Sequence, residues 1–443
     1  MRRLILSIFM LSAQLDSISA QDWNMVGNTA VDLFRKYLAI DTTNPPGNVS
    51  SAAEFLGKTL ESAGVPVEMI WTDKARGKVN LLGRLSGNGS KRPLLLLNHM
   101  DIVPVDRSGW DVDPFSGVRK DGYIYGRGAL DMKNIGSAQL MTMILLKQND
   151  VKLERDVLFL SVADEEGGGM GTAWINANRR NDIDPEYVLD EGGFGSEGFF
   201  TKDNRLIFCV GVAEKRNFTV RLSVSGTPGH ASMPPEDNAN FIMARALGKI
   251  AEYKPPEFIT PVAAEMIKRL GKLDNTLFTN ATLHNTISLT IMKGYAGEQG
   301  KSNVIPASAE ATLDCRLLPG QDPTEFVKQL QNVIGDQRIQ IRPERGEIIN
   351  DVSSFDTDLF KIIEKETKLA HPESVTLPHL VVYATDSRHF RRRGAIGYGF
   401  FPGPVTLEEY RSIHGHNERI REDSFREAVR IYYNVVREFC RVK

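Results

Sequence analysis

Cysteine is scarce: Cys209, Cys315 and Cys440 are the only three in 443 residues. So few, so widely spread, cannot build a disulfide framework or a thiolate metal site, and an odd number leaves at least one unpaired within the chain. Charge of one sign is lacking too, with a formal net charge of −2. No global field then favours nucleic acid or an anionic membrane. No apolar run reaches the roughly 20 residues that cross a bilayer, so stable membrane insertion is not expected. Internal repeats and low-complexity segments are absent as well. What remains is a chain long enough for two or more domains, expected to be soluble and to act on a small molecule or peptide.

The N-terminus departs from this pattern. "MRR" precedes the apolar "LILSIFML" and then small residues up to Ala20, which reads as a secretory signal peptide cleaved after Ala20. The expected destination is secreted or periplasmic. Sequons at Asn48, Asn88, Asn217 and Asn280 permit glycosylation in a eukaryotic source and decide nothing about activity.

Strand-like runs "PLLLLN", "DVLFLSVA" and "EYVLD" alternate with helical patterns "NIGSAQLMTMILLKQ" and "GTAWINANRR". This alternation predicts an α/β fold with a mostly parallel sheet. Near residue 214 the pattern changes. "FTVRLSVSG" and "ATLDCRLLPG" alternate apolar and polar residues, as half-buried antiparallel strands do. The expected organisation is a signal peptide (1–20), a catalytic domain in two parts (21–212 and 346–443), and between them a smaller α+β lid or dimerisation unit (213–345).

In parallel sheets, functional residues gather beyond the carboxyl ends of the strands. Here those ends carry His99 and Asp101, Asp164 to Glu166, and Asp190 with Glu191; Asp131 in "GRGALDMK" and His414 in "SIHGHNER" add to the set. Imidazole and carboxylate are ligand types for zinc, whose catalytic sites keep a position open for water. A lone histidine or a lone post-strand aspartate would be weak, because hydrogen-bonded histidines and helix caps are common. The set is more specific.

Together with "GWDVDPFSG", "YGRGALDMKN", "TDSRHF" and "HGHNER", these motifs and their order resemble the dizinc aminoacylase and carboxypeptidase family of metallopeptidases. Relatives include aminoacylase, carboxypeptidase S, carboxypeptidase G and acetylornithine deacetylase. The resemblance covers most of the mature chain. It implies two zinc ions, with cobalt or manganese as alternatives for such N and O donors. His99 and Asp190 would hold one ion, Glu166 and His414 the other, and Asp131 would bridge them. The trailing "NE" selects His414 over His416.

Asp101, two residues beyond a metal-binding histidine, is expected to accept its other ring N–H and fix the tautomer. Glu165 and Glu166 are adjacent, so their side chains should diverge, one to the metal and one to the attacking water. That makes Glu165 the expected general base. The resemblance further implies that His230, in "GTPGHAS", polarises the scissile carbonyl, often across a homodimer interface. Arg388 in "TDSRHF" and Asn303 in "KSNVIP" look like the groups that hold a substrate carboxylate. The function so implied is hydrolysis of an amide next to a free carboxylate, in an N-acyl amino acid or a short peptide. A non-catalytic binding protein on the same fold, or a metal-dependent esterase or carbamate hydrolase, are the alternatives.

Overall fold

The computed structural model describes residues 21–203, 205–294, 300–346 and 352–443; the expected signal peptide lies outside them. Strands Leu94–His99, Val157–Val162 and Tyr187–Asp190 are buried at every position. Continuous burial is what apolar runs dictate when helices cover both faces of a parallel sheet. Helix Lys133–Gln148 is correspondingly buried without interruption from Lys133 to Leu146. It packs between the sheet and helices Trp23–Leu38 and Glu422–Cys440. Polar Asn98, buried within this layer, is satisfied by Gln139 at 2.8 Å and by Ser161.

The large sheet has ten strands and is mixed. Its centre is parallel, in the order Val157–Val162, Leu94–His99, Tyr187–Asp190, Ile396–Gly399. Pairs flanking this centre, Lys78–Leu85 on one side and Leu206–Glu214 on the other, are antiparallel to it. The four central strands therefore end at one edge of the sheet, where His99, the 164–166 turn and Glu191 emerge.

A second, four-stranded antiparallel sheet orders Thr286–Lys293, Ser308–Leu317, Arg216–Ser225, Gln340–Gly346. The alternation read from the sequence is seen directly: Phe218, Val220, Leu222 and Val224 face Ala311, Leu313 and Cys315 in a core of their own beneath helices Ala239–Glu252 and Pro323–Ile334. One stretch within 213–345 does not stay with this sheet. Helix Pro261–Leu270 buries Val262, Ala263 and Met266, and it packs on strand Val375–Val381 of the large sheet. Leu318 also belongs to the large core.

Cys209, Cys315 and Cys440 are all free and buried. Among the described residues no helix is long and apolar enough to cross a membrane.

Candidate metal centre

His99 closes its strand with its side chain 2% exposed. Its Nδ1 lies 2.9 Å from the main-chain carbonyl of Asp101. A carbonyl only accepts, so Nδ1 carries a hydrogen, and Nε2 is the ring atom turned to Asp131 Oδ1 3.1 Å away and the one that would bind a cation. Asp131 turns its other oxygen, Oδ2, to His414 Nε2 at 3.0 Å, and Glu166 Oε1 meets the same nitrogen at 3.1 Å. Glu191 completes a group with His99 and Asp131 whose donor atoms all lie within 4.8 Å of one another. Two three-donor sets thus share Asp131: His99, Asp131, Glu191 and Asp131, Glu166, His414.

This corrects the expectation for Asp190. Successive side chains along a strand point to opposite faces, so of the pair Asp190 and Glu191 only one can reach the cluster. Glu191 does. Asp190 instead accepts the backbone N–H of Ser387 at 2.7 Å, and burial pushes its carboxyl up to about 7.

Asp101 also acts differently from expectation. Its carbonyl, not its carboxylate, takes the His99 ring. The carboxylate, fully buried, accepts the backbone N–H groups of Glu165 and Glu166 at 3.1 Å each and Asn44 Nδ2 at 2.8 Å. It therefore fixes the turn that carries both glutamates. Preceding them, Asp164 adopts a left-handed φ of 69° and is held by Lys78 Nζ at 2.5 Å.

The electrostatics fit cations. Burial disfavours charge on His99, yet hydrogen bonding and charge from Asp131 outweigh it and hold the imidazole well above its usual range. Hydrogen bonds to Asp131 and Glu166 push His414 up to about 10. Burial, reinforced by neighbouring acids, raises Glu165 and Glu191 well above the usual carboxylate range. Such a site is short of positive charge. Its imidazole and carboxylate donors are those of zinc, cobalt or manganese, and each set holds three protein donors, as catalytic zinc sites do.

One residue that sequence reasoning left without a role ties the centre together. Glu418, from the "HGHNER" motif, is fully buried and accepts from Arg127 Nη1 at 2.7 Å and from the amides of Gly128, Leu130 and Asp131 at 3.1, 2.8 and 3.2 Å. Arg127 Nη2 donates to Gly415 O at 2.8 Å. The loops bearing Asp131 and His414 are thereby joined. His416 lies away from the donor sets, against Gly109.

The donor sets open into a cavity of about 1130 Å³ that Arg388 also lines. Its walls include Phe194, Phe199, Phe278 and Tyr410, tilted or edge-on with ring centroids 4.7 to 5.4 Å apart for five of the six pairs. No motif announced this aromatic wall, because it is assembled from separate loops. His230 and Asn303 do not line it. They sit together on the small unit, both exposed, with Ala231 N–H donating to Asn303 O at 3.0 Å and His230 Nδ1 2.7 Å from Ser232 Oγ.

Paired imidazole and carboxylate donors at the carboxyl edge of an α/β sheet, beside a cavity, form a site able to hold metal ions. The chain belongs to the Peptidase family M20/M25/M40, whose profile matches residues 95–438. It is 31% identical over 378 residues to the N-fatty-acyl-amino acid synthase/hydrolase PM20D1 of Homo sapiens, covering 78% of this chain and 74% of that protein. With aminoacylase-1 of Mus musculus it shares 30% over 414 residues, covering 91% and 93%. The fold matches an M20 family metallo-carboxypeptidase from Sulfolobus solfataricus with a TM-score of 0.68 at 20% identity, over 93% of this chain and 98% of that one. Family members act on small N-acyl amino acid or peptide substrates.

Proposed function

We propose that the protein is an exported dizinc hydrolase of N-acyl amino acids with a large apolar acyl group. The observation that carries this reading is the cavity itself, in which two donor sets and a guanidinium share walls with an aromatic cluster. The name of the human relative, an N-fatty-acyl-amino acid synthase/hydrolase, points the same way. Burying each acyl methylene contributes about 0.8 kcal/mol, so a long chain supplies much of the binding.

His99, Asp131 and Glu191 would hold one zinc, and Asp131, Glu166 and His414 the other. When bound, the ions supply a polarising charge and lower the pKa of water at the site. Glu165, its carboxyl raised well above the usual carboxylate range by burial, takes a proton from the attacking water and passes it to the amine nitrogen as the carbon–nitrogen bond breaks. Asp101 keeps Glu165 and Glu166 in register by gripping their amides. The Arg388 fork receives the carboxylate of the amino acid.

His230 and Asn303 lie outside the cavity of their own chain. This favours a homodimer in which residues 213–345 serve as lid and interface and present His230 to the neighbouring site. Residues 1–20 would direct export and be removed in its course. The test is hydrolysis of an N-acyl amino acid series from acetyl to long-chain acyl, with metal analysis of the same sample. Expected are kcat/KM rising with chain length, two zinc equivalents per chain, and a Phe278→Ala variant about tenfold weaker on long chains. Equal rates across the series would sink the acyl reading.

A further inference from the structure

We propose that Glu214 and Thr385 are positioning residues for Arg388 and so set how strongly the site prefers substrates with a free carboxylate, an inference that rests on the carboxylate role given to Arg388 above. Arg388 lies in the turn that opens the short helix Ser387–Arg391. Its Nη1 donates to the main-chain carbonyl of Thr385 at 2.9 Å. The direction of the guanidinium therefore follows from where Thr385 is held.

Thr385 is held by Glu214 at both of its donors. The backbone N–H reaches Glu214 Oε2 at 2.9 Å and Oγ1 reaches Oε1 at 2.6 Å. Glu214 ends strand Leu206–Glu214 and is paired with Arg391. From the other side Asp190, at the end of its own strand, accepts Ser387 N–H at 2.7 Å. Two buried carboxylates at strand ends thus grip one turn. Burying a carboxylate is unfavourable unless its lone pairs are satisfied. Here the hydrogen bonds that satisfy them go mainly to the turn carrying Arg388, with a further one to Asp190 from the backbone of Glu191.

The guanidinium is also confined from above. A Cβ at Gly169, whose φ is 73°, would stand 3.0 Å from Arg388 Nη2. Arg388 is wedged between the turn and the bare backbone that follows Glu165 and Glu166. A small displacement of Thr385 moves the fork relative to the reacting centre, and misplacement of that kind is expensive in rate.

The experiment compares kcat/KM for one N-acyl amino acid and its neutral carboxamide, which differ only at the group Arg388 is held to recognise. Arg388→Met should reduce the acid-to-carboxamide ratio by on the order of 10- to 100-fold, the worth of a hydrogen bond to a charged group. Thr385→Val, which removes the hydroxyl but leaves the Glu214–Arg391 pair, should reduce it about fivefold, and Glu214→Gln about tenfold. Thr385→Ser should restore it. In the Arg388→Met background, Thr385→Val should lower the ratio no further. If Arg388→Met leaves the ratio intact, the carboxylate reading fails and the inference with it. If Arg388→Met collapses the ratio while Thr385→Val slows both substrates equally, that reading stands and the positioning role is overturned. Should Glu214→Gln fail to fold, the threonine pair alone decides.

Discussion

The two donor sets that share Asp131 are chemically alike and physically unlike. Each has one imidazole, one glutamate and one aspartate oxygen. In the first, His99 is 2% exposed and Glu191 7%; in the second, the His414 side chain is 50% exposed on a loop where His414 and Asn417 take left-handed φ values of 61° and 54°. Ligand chemistry therefore does not distinguish the sets; the elements bearing them do. One set stands at the ends of buried strands, the other reaches out to a surface loop. Exchange of metal and approach of water should occur at the second.

The largest effect expected leaves this comparison untouched. Glu165→Gln should lower kcat by about 10²- to 10⁴-fold while both metals stay bound, because Glu165 belongs to neither donor set. Elemental analysis together with kcat and KM on one substrate checks it; metal loss would exchange the roles of Glu165 and Glu166. Next in size, His414→Ala should weaken only the open set, with metal content falling from two equivalents to one after dialysis. His99→Ala should also lower the melting temperature, since it empties a buried position. If the two variants lose metal alike, the asymmetry is not real.

Glu418→Gln tests what joins the sets. A glutamine keeps the shape but presents an N–H toward donors already filling the site, so metal affinity should fall about 10- to 100-fold. The readout is a zinc-binding isotherm with the chelated protein.

The smallest effect is on stability. In metal-free protein His414 is held up to about 10, above its unfolded value, so the folded state binds the extra proton. Its contribution is complete below about pH 6.5 and is lost as pH rises toward 10. Half exposure limits the size, and a fall in melting temperature on the order of 2 °C across that window is expected. Metal-loaded protein should lack the His414 contribution, and metal-free His414→Asn should show a smaller fall, because His99, Asp190, Glu165 and Glu191 are raised in the same sense. A rise with pH in the metal-free wild type would reverse the sign.

Much of this was legible in the sequence. Continuous apolar runs marked the parallel strands, and an abrupt change to alternation marked the second sheet. His99, Asp131, Glu166 and His414 come together as the motifs implied. Asp190 did not, because motif spacing ignores which face of a strand a residue occupies. The reading of Asp101 failed on a similar point: residue type suggested a carboxylate contact where the backbone carbonyl was nearer. Glu418 and Glu214 were hidden because their partners, backbone amides and a distant arginine or threonine, leave no local pattern. The aromatic wall needed the tertiary fold to exist at all.

Helix Pro261–Leu270 returns from the small unit to bury Met266 in the large core, and soon after it Leu277 and Phe278 line the cavity. A segment that is an insertion by chain order is thus, in part, masonry of the host domain. Excising residues 213–345 would strip apolar surface from the large core. On the proposed reading, substitutions along 271–283 would recut the wall while every candidate metal donor stays on a different part of the chain.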